Sequence, residues 1–408
     1  MMLHASLPLG YWLGGGEESN VDRVVLLILL CLGVIILMKR RFDWYSAFKE
    51  NSWLTLLICF MCVSILWSDT PGKSFKDWVR EMLAVIMGFL IVSEVNPREA
   101  LQSVMRRFIY ILIPLSLLLS VFFPEYGQNL YSSIEGEISW SGVSGGKNGL
   151  GRLCLISVFF LVWSMIRQRQ AGDVSATRYH TFIELVVLGI SLLLMKGPGA
   201  VGALSITSIL TLVVGLATFF GLLWMKKFKR ILGVNALRII IATCIVVGTA
   251  SFFVGGLIVG GSVTAAIGRE DTLTGRNEIW ARLIPDVMRE PIVGHGLSFS
   301  GNPHNAYLAI ILEYGFVGLL FFSMFLLSSC RKAHKELSHD YHWGSFWICF
   351  LVMTLLYSIA EGGTKSLQNN LMAILLFLSV THDKAVSSWM LRKSEPFVVA
   401  ENDRQTTG

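Results

Sequence analysis

The apolar residues of this chain occur in runs long enough to cross a lipid bilayer, which restricts the fold more than any other feature. A spanning helix needs roughly 20 mainly apolar residues. Candidate runs are centred on residues 22–38, 53–67, 78–95, 107–123, 149–166, 180–195, 200–225, 236–260, 305–330, 343–360 and 368–382. Only 15% of the residues are charged, against about 25% in soluble domains. The sequence predicts an all-α, polytopic integral membrane protein with about 11–12 transmembrane helices.

The whole chain, residues 1–408, is interpreted as one membrane domain. Residues 1–16 form either a further span or a surface helix. Most of the 34 Lys and Arg residues lie in alternate loops and in the C-terminal tail, 394–408. Because basic loops stay inside, these loops and the tail are expected to be cytoplasmic. The net charge of +6 then follows from topology and implies no nucleic-acid partner.

Three outward-facing segments are longer than a simple connection requires: 124–148, 260–304 and 361–369. Binding and catalytic residues concentrate in such segments. Within 260–304, Thr274 or Gly275 is expected to begin a short helix that ends before Pro291. We therefore expect a partly helical periplasmic loop that carries the active site.

Three motifs follow one another here: T-G-R-N-E-I-W (274–280), R-E-P-I-V-G-H-G (289–296) and H-N-x-Y-L-x-x-x-x-E-x-G-x-x-G (304–318). Together they resemble the O-antigen ligase and polymerase superfamily of polytopic bacterial enzymes. W-S-G-V-S-G-G-K-N-G-L-G (140–151) resembles the Lys-Asn-x-Leu-Gly element of the same superfamily. The likeness covers about residues 140–330 and is greatest to the exopolysaccharide-polymerase branch.

The resemblance implies a glycosyltransferase of the bacterial inner membrane with a periplasmic active site. Its donor would be a glycan on undecaprenyl diphosphate, and its acceptor a second glycan or lipid A–core. Besides the lipid bilayer, other polysaccharide assembly proteins are possible partners. No D-x-D motif or cluster of metal ligands occurs in the predicted outer loops, so we expect metal-independent transfer without a cofactor.

The implied reaction needs cations for the diphosphate and a base for the acceptor hydroxyl. Charge grows on the diphosphate as its bond to the sugar breaks, so fixed cations stabilise the transition state. Arg276 is the main candidate for this catalytic role, and a histidine at the membrane boundary, His304, is the candidate base. Substrate binding is assigned to the remaining candidates: Lys147, Lys196, Arg282, Arg289, Asn305 and Glu313.

Two of these assignments rest on unusual positions. Lys196 lies in L-L-L-M-K-G-P-G-A (192–200), where the family usually has an arginine and this chain has Pro198. A lysine offers a point charge instead of the planar fork of arginine. Glu313 is a carboxylate inside an apolar helix, and such residues are usually functional or paired. It is as suited to bracing Arg276 or His304 as to direct chemistry.

Each candidate also has a structural interpretation. Arg276 can pair with Glu270 or Glu278, His304 can cap a helix, and Lys147 can be a charge at a helix end. The aromatic residues near the motifs can stack on sugars, but anchoring at the membrane interface is the favoured interpretation. These residues are Trp140, Trp280 and Tyr307.

Four functions remain open, one of them a structural or assembly role in a polysaccharide export complex. A polymerase would lengthen a lipid-linked polysaccharide, whereas a ligase would pass the glycan to lipid A–core. A transporter of lipid-linked oligosaccharides is the alternative of another class, but transporters usually place charge near the membrane midplane, often on broken helices in paired halves. Here the candidate cations lie at the outer boundary, which favours an enzyme.

Overall fold

The protein is built almost entirely of helices, as seen in a computed structural model that describes residues 20–131, 137–170, 178–198, 205–228, 233–253, 271–299, 303–362, 366–367 and 369–381. The longer helices are α1 (Asn20–Lys39), α2 (Trp44–Glu50), α3 (Ser52–Val63), α4 (Pro71–Val92), α5 (Pro97–Phe122), α6 (Lys147–Gln170), α7 (Arg178–Lys196), α8 (Ile206–Lys227), α9 (Val234–Phe253), α10 (Asp271–Arg289), α11 (Ala306–His339), α12 (Tyr341–Ala360) and α13 (Asn370–Thr381). Single helical turns occur at Ser64–Trp67, Pro124–Gly127 and Gly142–Ser144. One antiparallel hairpin, β1 (Gln128–Tyr131) and β2 (Glu137–Trp140), pairs Gln128 with Trp140.

A helix lies at each of the predicted membrane-spanning runs, and the all-α polytopic fold is confirmed. By length and composition, 5 of the described helices can cross a membrane by themselves: α5, α6, α8, α11 and α12. A sixth span results if α2 and α3, which meet at 98°, are counted as one. The apolar parts of α1, α9 and α13 are shorter. Residues 1–16 and 394–408 lie outside the described residues.

The helices differ in how much of their surface faces other helices. Of the 18 most apolar consecutive residues of α12, 83% are buried inside the protein, whereas the corresponding fraction for α8 is 33%. Aromatic rings fill the contact between α6 and α12, where the ring centroids of Trp163 and Phe346 are 4.4 Å apart. The helix α12 therefore forms part of the interior of the bundle, whereas α8 lies at its periphery and exposes apolar side chains, as expected of a surface that contacts lipid tails.

The bundle has two chemically different ends. At one end, which we call the basic end, arginines of α5 pair with carboxylates of other helices. Arg98 pairs with Glu336 and, at 3.5 Å, with Asp340, while Arg106 lies 3.8 Å from Glu184. At the opposite end, which we call the loop end, Asn148 bonds to Glu361 and the segment 290–297 bonds to the backbone of α11. The predicted site residues lie at or near the loop end.

Candidate active site

The helix α11 is broken near the loop end, at Gly315. This residue has φ 63° and ψ −167°, which no α-helix contains. Because of the break, the N–H groups of Phe316 and Val317 cannot reach the carbonyl groups one turn earlier. Those carbonyl groups, of Leu312 and Glu313, lose their partners in the same way. Buried backbone groups need replacement hydrogen bonds.

The segment 290–297 supplies the replacements. The N–H groups of His295 and Gly296 donate to the two freed carbonyl groups, each at 2.9 Å. The carbonyl groups of Pro291 and Ile292 accept from the two freed N–H groups, at 2.9 and 3.1 Å. The loop and the broken helix therefore form one unit, joined by four hydrogen bonds between their backbones.

Glycines make this close approach possible. A side chain at Gly315 would overlap the Ile292 carbonyl group, and a Cβ at Gly294 would lie 2.5 Å from the carbonyl carbon of Glu313. Both glycines also have positive φ, which other residues adopt only with strain. The motifs R-E-P-I-V-G-H-G and E-x-G-x-x-G are thus two halves of one contact, which sequence spacing alone does not reveal.

The beginning of α4 holds the next residues of this loop. Ser68 donates to the Leu297 carbonyl group at 3.3 Å, and Ser74 donates to the same oxygen. The Ser298 hydroxyl donates to Asp77. The segment around Gly296 is therefore bonded both to α11 and to the beginning of α4.

A buried carboxylate of α4, Glu81, holds the chain at Ser366 and Leu367. Glu81 accepts hydrogen bonds from the Ser366 hydroxyl at 2.6 Å and from the Leu367 N–H at 2.7 Å. Asp77 and Glu81 are one helical turn apart, so one helix face organises two loops. Sequence reasoning missed both residues, although two carboxylates spaced by one turn near the end of an apolar run were a visible signal.

His304 lies between two anchored neighbours. The carbonyl group of Pro303 accepts a 2.7 Å hydrogen bond from the Trp280 indole of α10, and the Asn305 amide donates to the Gly248 carbonyl group of α9 at 3.0 Å. His304 itself has φ 50°, an uncommon conformation for a residue with a side chain. Such conformations cost about 1–3 kcal/mol and persist where the surroundings fix them, often at functional sites.

Asn305 is the N-cap of α11, and this corrects the alternative in which His304 would cap that helix. The Asn305 side chain is fully buried and accepts the Leu308 N–H at 3.1 Å. Tyr307 is also fully buried and donates to the Leu355 carbonyl group at 3.0 Å. Neither Tyr307 nor Trp280, which is 7% exposed, presents a ring face to a sugar.

Helix α10 carries the arginine candidates and extends further than expected, from Asp271 to Arg289. Position 276 precedes Trp280 by one turn and shares its helix face, but the Arg276 side chain lies outside the described residues. Arg282 and Arg289 are both exposed, and Arg289 lies 3.6 Å from Asp286. The structure thus places the backbone of Arg276 one turn from the residue that anchors Pro303.

The end of α10 is fixed by His295. Its Nε2 lies 2.8 Å from the Asp286 carbonyl oxygen, and its ring stacks on Phe299 with a centroid separation of 4.5 Å. Glu313 is 3% exposed, and its carboxylate bonds to the buried Tyr314. The carboxylate of Glu313 is therefore engaged within the protein.

The Lys-Asn element begins α6 and connects three helices. The Asn148 amide donates to Glu361 at 2.7 Å and its side-chain oxygen accepts from Ser205 at 3.3 Å. The Tyr357 hydroxyl donates to the Asn148 carbonyl group at 2.9 Å. Asn148 therefore ties α6 to α8 and α12, whereas Lys147 is the half-buried first residue of α6.

Lys196 is the last residue of α7 and is exposed. A further cation, Arg152, was missed by sequence reasoning, although an arginine inside an apolar run is itself a signal of function. It lies one turn after Asn148 in α6. Its Nε is buried and has no hydrogen-bond partner in the part of the chain that the structure describes.

Comparison with known proteins agrees with the motifs. The model of the O-antigen ligase family matches residues 191–323, which include α10, the loop 290–297, His304 and the break in α11. In this segment the chain is similar to the O-antigen ligase family. It is also 22% identical, over 75% of its length and 70% of the relative's, to the exopolysaccharide production protein ExoQ of Rhizobium meliloti (strain 1021). Both comparisons support a membrane enzyme of the polysaccharide polymerase or ligase type.

Proposed function

We propose that the protein transfers a glycan from undecaprenyl diphosphate to a sugar hydroxyl at the loop end of the bundle, as an exopolysaccharide or O-antigen polymerase of the bacterial inner membrane. The observation that carries this proposal is the position of His304. Its backbone is strained, and its two neighbours are fixed by α9 and α10 inside the segment that matches the family model. The resemblance to an exopolysaccharide production protein favours polymerisation.

In this reaction His304 removes the proton of the acceptor hydroxyl as that oxygen attacks the sugar carbon. The diphosphate leaves with the electrons of the broken bond, and Arg276 stabilises the growing charge. Arg282 and Arg289 belong to the same helix and are exposed, so they are placed to attract the donor. Lys147 and Lys196 would bind it from α6 and α7. No metal or other cofactor takes part in the proposed reaction.

For two candidates the contacts favour positioning over substrate binding. Asn305 uses its oxygen to cap α11 and its nitrogen to hold α9, so it fixes the start of the helix beside His304. Glu313 lies at the break and its own carbonyl group accepts from Gly296. Both residues would keep His304 in place instead of contacting the donor.

Many transporters also contain broken helices, and the backbone groups freed by those breaks bind ions or substrates. Here the four groups freed by the break are bonded to the segment 290–297. These four backbone groups are therefore not available to bind a transported solute. This contact supports an enzyme over a transporter.

The test uses the purified protein in lipid nanodiscs with an undecaprenyl-diphosphate-linked oligosaccharide, in the presence of EDTA. We expect a ladder of lengthened lipid-linked products from the wild type and none from Arg276→Ala or His304→Ala. His339→Ala and Arg331→Ala, which remove exposed residues of the basic end, are the matched controls and should retain the ladder.

The same experiment separates the alternatives. A second set of reactions contains lipid A–core, and product on that acceptor alone would identify a ligase, as the name of the matched family model suggests. Loss of product in EDTA, restored by a divalent cation, would refute the metal-independent reaction. Movement of unchanged donor across proteoliposomes, with no product in any reaction, would instead indicate transport.

A further inference from the structure

Arg152 differs from the other half-buried arginines of the bundle. Arg80 is 2.9 Å from Asp77, and Arg106 is 3.8 Å from Glu184. Arg98 pairs with two carboxylates, and Arg167 lies over the ring of Trp163, 5.4 Å from its centroid. Arg152 has no ion pair or hydrogen bond with any residue in the described ranges, and its Nε is shielded from solvent.

The backbone of Arg152 is nevertheless held firmly. The preceding residue, Gly151, packs so closely on α8 that a Cβ there would lie 2.6 Å from Ser205 and Ser208. One turn earlier, Asn148 bonds to Glu361 of the loop that follows α12. Residues four apart share a helix face, so Arg152 lies on the side of α6 that turns towards other helices at the loop end.

The depth of Arg152 is also informative. It is the sixth residue of α6, so it lies about 7–8 Å along the helix axis from Lys147. An arginine at this depth without a counter-charge is costly in a membrane, and such residues usually serve a ligand or a partner. A ligand that is anionic, rich in acceptor oxygens and attached to a hydrocarbon chain would supply the missing partner at this depth.

We propose that Arg152 binds the diphosphate of the lipid-linked donor from the membrane side of the active site. This inference rests on the proposed function, because that function supplies a lipid diphosphate as substrate. The planar guanidinium can bind two phosphate oxygens at once. Arg152 would therefore provide the forked contact that Lys196, with its point charge, does not.

Binding of undecaprenyl diphosphate to nanodiscs of neutral phospholipid tests the inference without turnover. We expect Kd to rise roughly 10- to 100-fold in Arg152→Gln, as for loss of a charge-assisted hydrogen bond, and less in Arg152→Lys. Arg167→Gln is the matched control, because it removes a guanidinium from the basic end of the same helix; its Kd should stay within about twofold. Undecaprenyl monophosphate should bind more weakly to the wild type, and its Kd should differ less between the wild type and Arg152→Gln.

A second measurement uses the unaltered protein and so does not depend on the folding of variants. Phenylglyoxal modifies arginine, and undecaprenyl diphosphate should slow the modification of Arg152 but not that of Arg167. Equal protection by the monophosphate, or none by the diphosphate, would overturn the assignment. The polymerase reaction is measured separately: a full ladder from an Arg152→Gln protein with unchanged Kd would refute this inference and leave the proposed function intact.

Discussion

The two ends of the bundle use charged and polar side chains in different ways. At the basic end, Arg98 and Arg106 lie against carboxylates of other helices, so charge is matched within the protein. At the loop end, Arg152 lacks such a partner among the described residues, and His304 is held in a strained conformation. The arginines of the basic end thus have carboxylate partners, whereas we propose that Arg152 and His304 of the loop end act on a ligand.

The means of positioning differ as well. Long side chains meet across the helices of the basic end, as where Lys332 donates to Asn51 at 3.0 Å. At the loop end the backbone itself is the main partner, through the four hydrogen bonds between the segment 290–297 and α11. Contacts between backbones fix positions more tightly, because no flexible side chain intervenes. The loop end should therefore tolerate changes at its glycines poorly.

The largest effect is expected for Gly315→Ala. The new methyl group would overlap the Ile292 carbonyl group, and the positive φ adds strain of about 1–3 kcal/mol. We expect loss of activity and fast hydrogen exchange at the amides of His295, Gly296, Phe316 and Val317, measured by mass spectrometry. Gly221→Ala is the control, because nothing lies within 4 Å of its Cβ and alanine favours the helix by about 1 kcal/mol. Slow exchange with full activity in Gly315→Ala would contradict the backbone contact.

Removal of a charge at the basic end should affect stability more than activity. Arg98→Met leaves the Glu336 carboxylate, which is 1% exposed, without its main partner. Breaking a buried ion pair typically costs about 3–5 kcal/mol, seen as a lower unfolding temperature in nanodiscs. The double variant Arg98→Met, Glu336→Gln should recover part of this loss. The transfer rate per folded molecule should stay unchanged. A fall in that rate would contradict the view that the basic end serves stability and not activity.

Asn305→Ala, a change at the loop end, should lower both the stability of the protein and its transfer rate. Loss of an N-cap costs about 0.5–2 kcal/mol, and the Gly248 carbonyl group loses its donor as well. Because His304 is the preceding residue, we expect the rate to fall more than stability predicts. Asn305→Asp retains the capping acceptor but not the donor, so its rate should be intermediate. Equal, small losses in both variants would argue against a positioning role.

The smallest change gives the most direct comparison of the ends. Trp280 and Trp163 each donate one indole hydrogen bond to a carbonyl group, of Pro303 and of His342, at 2.7 and 2.9 Å. Replacing either by phenylalanine removes a bond worth about 1 kcal/mol, so unfolding temperatures should fall similarly. Only Trp280→Phe should lower the transfer rate, since its partner precedes His304. Similar rates in both variants would show that this anchor is dispensable.

Sequence reasoning predicted the helices well, because bilayer-length apolar runs leave few alternatives. All the predicted runs coincide with helices, and the family resemblance on residues 274–318 is confirmed by the family model over 191–323. Side-chain surroundings were less predictable: stacking on sugars, the less favoured interpretation of Tyr307, does not fit a side chain that is buried with its hydroxyl bonded to Leu355. Periodicity indicates that a residue is helical, but not which neighbour covers it.

The loop end was less predictable from the sequence. Asp77 and Glu81 were not recognised, because their partners Ser298, Ser366 and Leu367 are more than 200 residues away along the chain. Arg152 was passed over as part of an apolar run. Its significance appears only when the other half-buried arginines are seen to have partners, which is a property of the packed molecule.

The membrane character, the helices and the family resemblance could be predicted from the sequence, since these depend on local apolar length and on motifs contiguous in the chain. Tertiary structure alone decided that the loop 290–297 closes the break at Gly315, and that Asn305 rather than His304 caps α11. These arrangements depend on backbone groups, which every residue shares and which leave little trace in the sequence beyond a few glycines. Their partners are chosen by the packing of distant helices.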